Sequence, residues 1–308
     1  MRIVLTNSVG VAGIQTTVEA LCAGRPVLDA IEAGIQQVEL DPAIHSVGRG
    51  GWPNLLGEVE LDASIMDGRT LRTGAVGALR GYLHPISVAR KVMEALPHVF
   101  LVGEGAACFA AECGMEPGEN LTEEARAGWD RWRHEHVPAE DLARWPDVCL
   151  SALAGLTADP VETHGTTTFI VRGEDGHIAC GVSTSGWAWK YPGRLGDSPV
   201  IGAGNYADDR YGACACIGHG ELTIRAGTAR AVVLYMKMGM TVHEAVRESA
   251  RDLDALQRDY RGMVTIHAID RDGDHSVITW GDERPHEYCV WTDGMGAPET
   301  RVALPHSK

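Results

Sequence analysis

The run His164-Gly165-Thr166-Thr167-Thr168-Phe169 sets three hydroxyls in a row behind a glycine. Two readings fit it. Threonine is β-branched and suits a pleated backbone, so the run can simply open an edge strand. The sharper reading is a nucleophile made by breaking the backbone before Thr166. A freed threonine amine titrates at about 7.7–8.0 and can take the proton of its own hydroxyl, whereas an internal threonine has only an amide there. Gly165 would ease the strained geometry that such a bond requires. Two other groupings carry less. Asp270-Arg271-Asp272-Gly273-Asp274 has the oxygens of a calcium loop, but its glycine is misplaced and no Glu closes it, so it reads as a hairpin turn. His219 and Glu221 are a candidate metal pair or plain structural residues. The 13 histidines show no ligand spacing, and no cofactor is expected.

The elements that must position Thr166 change character along the chain. Arg2 to Asn7 reads as a strand, and Thr16 to Cys22 and Pro26 to Val38 as helices with apolar residues three and four apart. Gly48 to Pro53 is a Gly-rich loop, and Pro85 to Leu96 another amphipathic helix. From about 115 to 165 the pattern predicts a solvated helix, with Thr122 or Asn120 as its cap, and then a mobile linker. Beyond it, Thr166 to Arg172 and His177 to Val182 form one hairpin, and Met263 to Ile269 and Ser276 to Trp280 another. Two helical patterns, Glu221 to Met240 and Val242 to Leu256, lie between them. Strands, a helical pair and strands again predict stacked sheets with helices outside.

Composition narrows the function classes. The chain has 308 residues, 44% of them hydrophobic, enough for a substantial core. Asp and Glu number 42 against 27 Lys and Arg, a net charge of −15. That balance excludes the basic face a nucleic-acid partner requires. No stretch approaches the roughly 20 apolar residues of a membrane span, and none reads as a secretory signal, so a cytoplasmic protein is expected. The eight cysteines sit mostly in apolar runs and are expected as buried thiols rather than a disulfide framework.

Downstream of Thr166 come Gly181-Val182-Ser183-Thr184-Ser185-Gly186, Gly193-Arg194-Leu195-Gly196-Asp197-Ser198-Pro199, Gly202-Ala203-Gly204-Asn205 and Gly218-His219-Gly220-Glu221. Upstream stand Ser46-Val47-Gly48-Arg49-Gly50-Gly51, Leu61-Asp62-Ala63-Ser64-Ile65-Met66-Asp67-Gly68, Gly74-Ala75-Val76-Gly77 and Leu101-Val102-Gly103-Glu104. With His164-Gly165-Thr166, this order and spacing resemble the glycosylasparaginase branch of the N-terminal-nucleophile hydrolases, which also holds plant-type asparaginases and isoaspartyl peptidases. The resemblance spans nearly the whole chain.

It implies an α+β, four-layer αββα sandwich that cuts itself between Gly165 and Thr166, giving an α chain of residues 1–165 and a β chain of 166–308. By position, Thr166 is the nucleophile and base, and Thr184 the threonine that supports it. Arg194 would hold a substrate α-carboxylate, as a planar bidentate donor can. Asp197 would receive the α-ammonium, and the Gly218 N–H would serve the oxyanion hole. The implied partner is a small amino-acid amide, such as a glycosylated asparagine, and the implied assembly a homodimer. The alternatives are an isoaspartyl peptidase or L-asparaginase, and an inactive relative that binds an amino acid.

Three positions depart from the glycosylasparaginase pattern. Ile217 stands where a threonine would add a second oxyanion donor. Ser8 replaces a pocket-lining tryptophan, which predicts a wider, more polar pocket. Gly165 replaces an aspartate that assists cleavage, although isoaspartyl peptidases also carry glycine there.

Overall fold

A computed structural model describes residues 1–156, 165–256 and 262–306. In chain order the elements are β1 (Ile3–Asn7), α1 (Val11–Cys22), α2 (Val27–Leu40), β2 (Leu61–Asp67), β3 (Thr73–Leu79), α3 (Pro85–Ala95), β4 (Phe100–Val102), α4 (Gly103–Glu112), α5 (Glu123–His136), α6 (Ala139–Leu142) and α7 (Leu150–Leu153). There follow β5 (Thr167–Arg172), β6 (Ile178–Thr184), β7 (Asn205–Asp208), β8 (Gly212–Gly218), α8 (Gly220–Ala226), α9 (Thr228–Lys237), α10 (Val242–Asp254), β9 (Val264–Asp270), β10 (His275–Trp280), β11 (Glu287–Thr292), β12 (Glu299–Val302) and β13 (Leu304–Pro305). One sheet has the order β12-β11-β1-β5-β6-β2-β3-β4, the other β13-β10-β9-β8-β7.

Strand alternation builds the layers. Ile3, Leu5, Ile170, Cys180 and Val182 of the first sheet meet Ala213, Ala215, Ile269 and Val277 of the second in one buried cluster. Residues of opposite parity, Val4, Phe169, Val171 and Ala179, pack with Ile14, Ile31, Ile35 and Ile86 of α1, α2 and α3. On the far side, Cys214, Cys216, Val264 and Ile266 pack with Val232, Val233, Val246 and Leu253 of α9 and α10. The result is the expected αββα sandwich. Covering both faces of each sheet explains why nearly every residue of the central strands β1, β5 and β6 is buried.

Three expectations need correction. The stretch from about 115 to 165 is a solvated linker only in part: α5 packs against the domain, while α6 buries no residue and α7 only Leu153. Ala125, Trp129 and Trp132 lie on one stripe of that helix and are buried. Trp132 stacks on Trp189 at 5.4 Å, and the Trp129 indole donates to the Leu55 carbonyl at 3.2 Å. Charged residues outnumber that stripe, which hid it from composition. Thr122 caps the helix, accepting from the Ala125 N–H at 3.3 Å; residues 157–164, His164 among them, lie outside the described part.

The helix expected over Glu221–Met240 is broken at Gly227, whose φ of +63° ends α8 and starts α9. The cysteines divide: Cys180, Cys214, Cys216 and Cys289 are buried thiols, while Cys22, Cys108 and Cys149 are exposed and Cys113 half-buried. Strand β8, Gly-Ala-Cys-Ala-Cys-Ile-Gly, is made of weak strand formers and gave no signal. Its state is decided by antiparallel pairing with β7 and β9.

Candidate active site

Strands β5 and β6 are antiparallel neighbours, with Thr167 opposite Ser183. That register brings Thr166, just before β5, beside Thr184, the last residue of β6. Both side chains are buried, Thr166 at 7% exposure and Thr184 at 2%. The Thr166 hydroxyl donates to Thr184 Oγ1 at 3.4 Å. Thr184 Oγ1 in turn lies 2.9 Å from the Gly165 carbonyl oxygen and 3.3 Å from that of Ser46, and it accepts the Gly186 N–H at 2.9 Å. A hydroxyl has one proton to give. The shorter contact directs it at Gly165, the carbonyl of the 165–166 bond.

Asn7 secures this corner from the other side. It ends β1, which pairs with β5 as far as Thr6 opposite Phe169. Its Nδ2 donates to the Thr166 carbonyl at 2.6 Å, and its Oδ1 accepts the Thr168 N–H at 3.1 Å. The loop that carries Ser46 closes the third side: Ser185 N–H donates to the Ser46 carbonyl at 2.8 Å. A Cβ on Gly165 would stand 2.3 Å from Ser46 Oγ, so only glycine fits beside that hydroxyl.

A second group follows β6. Arg194 grips Glu221 through Nε at 3.0 Å and Nη2 at 2.8 Å, and its guanidinium lies over the Trp187 ring at 4.3 Å. Asp197 is buried and accepts the Thr223 hydroxyl at 2.7 Å. Burial pushes its carboxyl up to about 6, against the pull of the Thr223 hydrogen bond and of Arg194. Lys190, 1% exposed, donates to the Glu60 carbonyl at 3.1 Å, and burial lowers its ammonium below the ordinary value. Glu60 also accepts the Gly193 N–H at 3.1 Å, so this pair stitches the loop before Arg194 to the segment before β2.

The two groups meet at Gly186. Its N–H is on Thr184, and a Cβ there would lie 3.4 Å from Arg194 Nη1. Gly218 ends β8 opposite Val264, with φ of +113° and no room for a side chain against the Met263 carbonyl. Two residues on, Gly220 packs on Asp197, and Glu221 is the carboxylate on Arg194. Thr166, Thr184, Arg194 and Asp197 are thus linked by contact or by one residue between them. Gly218 is linked through its chain neighbours.

The remaining candidates take ordinary roles. Asp270 Oδ1 accepts the N–H groups of Asp272, Gly273 and Asp274, which makes that segment a hairpin turn. Glu221 is engaged by Arg194, and His219 sits edge-on to Trp187 at 4.7 Å. Among the described residues, no group of three or more His, Cys, Asp or Glu could hold a metal ion. No helix among them is long and apolar enough to cross a membrane.

A family profile of asparaginases, Asparaginase_2, matches residues 7–298, a span that contains every one of these side chains. The chain belongs to the Asparaginase_2 family. An N(4)-(β-N-acetylglucosaminyl)-L-asparaginase of Elizabethkingia miricola is 38% identical over 242 residues, 77% of this chain and 65% of that one. This chain therefore spans just under two thirds of that relative's length. A plant-type L-asparaginase of Pyrococcus furiosus is 35% identical over 275 residues, 89% of this chain and 86% of that one. An isoaspartyl peptidase/L-asparaginase of Rattus norvegicus is 36% identical over 262 residues, 84% and 72% of the two chains.

Within this Asparaginase_2 chain, residue order assigned no role to Asn7, Lys190 or Trp187, and offered Glu221 as a metal or plain structural residue without linking it to Arg194. Asn7 is 159 residues from Thr166, so only strand pairing reveals it. A signal for Glu221 was present in Gly218-His219-Gly220-Glu221, where small residues flank a carboxylate. Of the departures, Ser8 is exposed and opens a short turn at Ser8–Gly10. Ile217 lies in β8 opposite Thr265 and brings no side-chain donor beside Gly218.

Proposed function

We propose that this chain cuts itself between Gly165 and Thr166 and then hydrolyses the side-chain amide of an asparagine-type amino acid. The observation that carries the reading is the placing of the Thr184 hydroxyl between the Thr166 hydroxyl and the Gly165 carbonyl. In self-cleavage, Thr166 Oγ1 attacks the Gly165 carbonyl carbon, and the Thr184 proton meets the charge that grows on its oxygen. The C–N bond breaks as the ester forms, the nitrogen leaves as the Thr166 amine, and water hydrolyses the ester.

The same hydroxyl then attacks the substrate's side-chain carbonyl, with its own amine as base. The amide leaves as ammonia or an amine, an aspartyl ester remains on Thr166, and water releases the acid. Arg194 holds the α-carboxylate, Asp197 the α-ammonium, and the Gly218 N–H the oxyanion. No cofactor takes part. Ile217 leaves the oxyanion hole one side-chain donor short, a loss of about 10²–10³ in rate elsewhere.

The first substrate class is an N4-glycosylated asparagine. The second is a β-aspartyl dipeptide or free asparagine, favoured by Gly165 against Ser46 and by Ser8 in the turn after β1. The processed unit is assigned a homodimeric state by the same resemblance and a cytoplasmic location by its cysteines, which are expected as thiols rather than a disulfide framework; size-exclusion chromatography and cell fractionation check the two.

Denaturing gel electrophoresis and amino-terminal sequencing test the cleavage. Two fragments with a new terminus at Thr166 are expected, and a single full-length chain from Thr166→Ala. Scission of that variant at the same bond would refute the nucleophile. Parallel turnover of a glycosyl-asparagine and a β-aspartyl dipeptide then ranks the substrates; activity on the dipeptide alone establishes the second class.

A further inference from the structure

We infer that Glu221 is a positioning residue that aims Arg194 at the substrate carboxylate. The inference rests on the proposed role of Arg194 and adds a residue to it. A guanidinium offers two bidentate faces, one through Nε and Nη2 and one through Nη1 and Nη2. Glu221 takes the first: its Oε1 accepts from Nε at 3.0 Å and from Nη2 at 2.8 Å, and its Oε2 from Nη2 at 2.9 Å. Trp187 covers one flat side of the group, with the guanidinium carbon 4.3 Å from the ring centroid.

The second face is held open by glycines. Nη1 stands 3.4 Å from where a Gly186 side chain would begin and 3.1 Å from where a Gly196 side chain would begin. Gly186 is also the residue whose N–H is on Thr184. The free face of Arg194 therefore looks toward the backbone that supports the nucleophile. A flexible arginine without Glu221 would spread over several rotamers, and fixing it would cost side-chain entropy on each binding event.

The opposite role is open to test as well. If Glu221 instead occupied the face that the substrate needs, it would compete with the α-carboxylate, and its removal would tighten binding.

The probe is L-aspartate, the acid that the proposed reaction releases, titrated calorimetrically into processed protein. Glu221→Gln is expected to weaken it about tenfold to hundredfold, the loss of a charge-assisted pair, and Glu221→Asp to weaken it less. The same variants should raise KM for a β-aspartyl dipeptide by the same factor, with kcat within about threefold and self-cleavage complete. Unchanged or tighter binding in Glu221→Gln overturns the inference. Arg194→Ala separates the two levels. Normal L-aspartate binding by that variant, or none by the unaltered protein, sinks the proposed site itself. Loss in Arg194→Ala with normal binding in Glu221→Gln sinks only the positioning role. Thermal melts identify a misfolded variant, and Glu221→Asp with its KM-against-kcat split then decides.

Discussion

Asp197→Asn should make this protein more stable at neutral pH while impairing its function. The carboxyl is 5% exposed, and burial lifts it from 3.8 to about 6. The difference, about 2 pH units at 1.36 kcal/mol each, is about 3 kcal/mol. Because the folded value is the higher one, the folded state binds the proton more tightly. Stability contributed by this group is present below about pH 4, falls as pH rises through the window from 4 to 6, and is lost above it. At pH 7.5 the wild type therefore carries a charge in a poorly solvated place.

An asparagine there keeps an oxygen for the Thr223 hydroxyl at 2.7 Å and removes the charge. Urea unfolding at pH 7.5 should show the variant more stable by about 2–3 kcal/mol, and at pH 4 the two proteins should unfold together. With no carboxylate to receive an α-ammonium, the variant's KM should rise at neutral pH, and the wild-type KM should rise as pH falls below about 6. A variant less stable at pH 7.5, or a gain that persists at pH 4, would refute the assignment of burial as the cause.

Two further outcomes concern the bond between Gly165 and Thr166, where cleavage is proposed. Gly165→Ala places a Cβ 2.6 Å from Ser46 Cβ, about 1 Å inside ordinary carbon contact; gel-monitored self-cleavage should slow at least about tenfold, and adding Ser46→Gly should restore it. Thr184→Val keeps the shape but removes the proton from the Gly165 carbonyl, so cleavage should slow by about 10²–10³ in the same assay. Cleavage at the wild-type rate in Thr184→Val would remove the hydroxyl from the mechanism.

Much of this was legible from residue order. Motifs around Thr166, Thr184, Arg194 and Asp197 are contiguous runs, each readable locally, and the β5–β6 and β9–β10 hairpins announce themselves by alternation and turn residues. Helices α2, α3 and α10 show their apolar stripes. Less legible were β8, whose small residues have little strand preference, and α5, whose buried Ala125, Trp129 and Trp132 are outnumbered by charges. In both, pairing and packing with distant segments override local preference.

The order of residues by itself predicted stacked sheets with helices outside, because periodicity is a property of neighbouring positions, and its resemblance to a known family nominated the side chains that could do chemistry. Only the tertiary structure decided which groups act on one another. Asn7 reaches Thr166 from the next strand, the Ser46 hydroxyl occupies the space a larger residue at 165 would need, and Glu221 turns Arg194. Each is a contact between segments far apart in the chain. Hydrogen bonds and close contacts act over about 3 Å, so sequence separation carries no trace of them until the sheets are assembled.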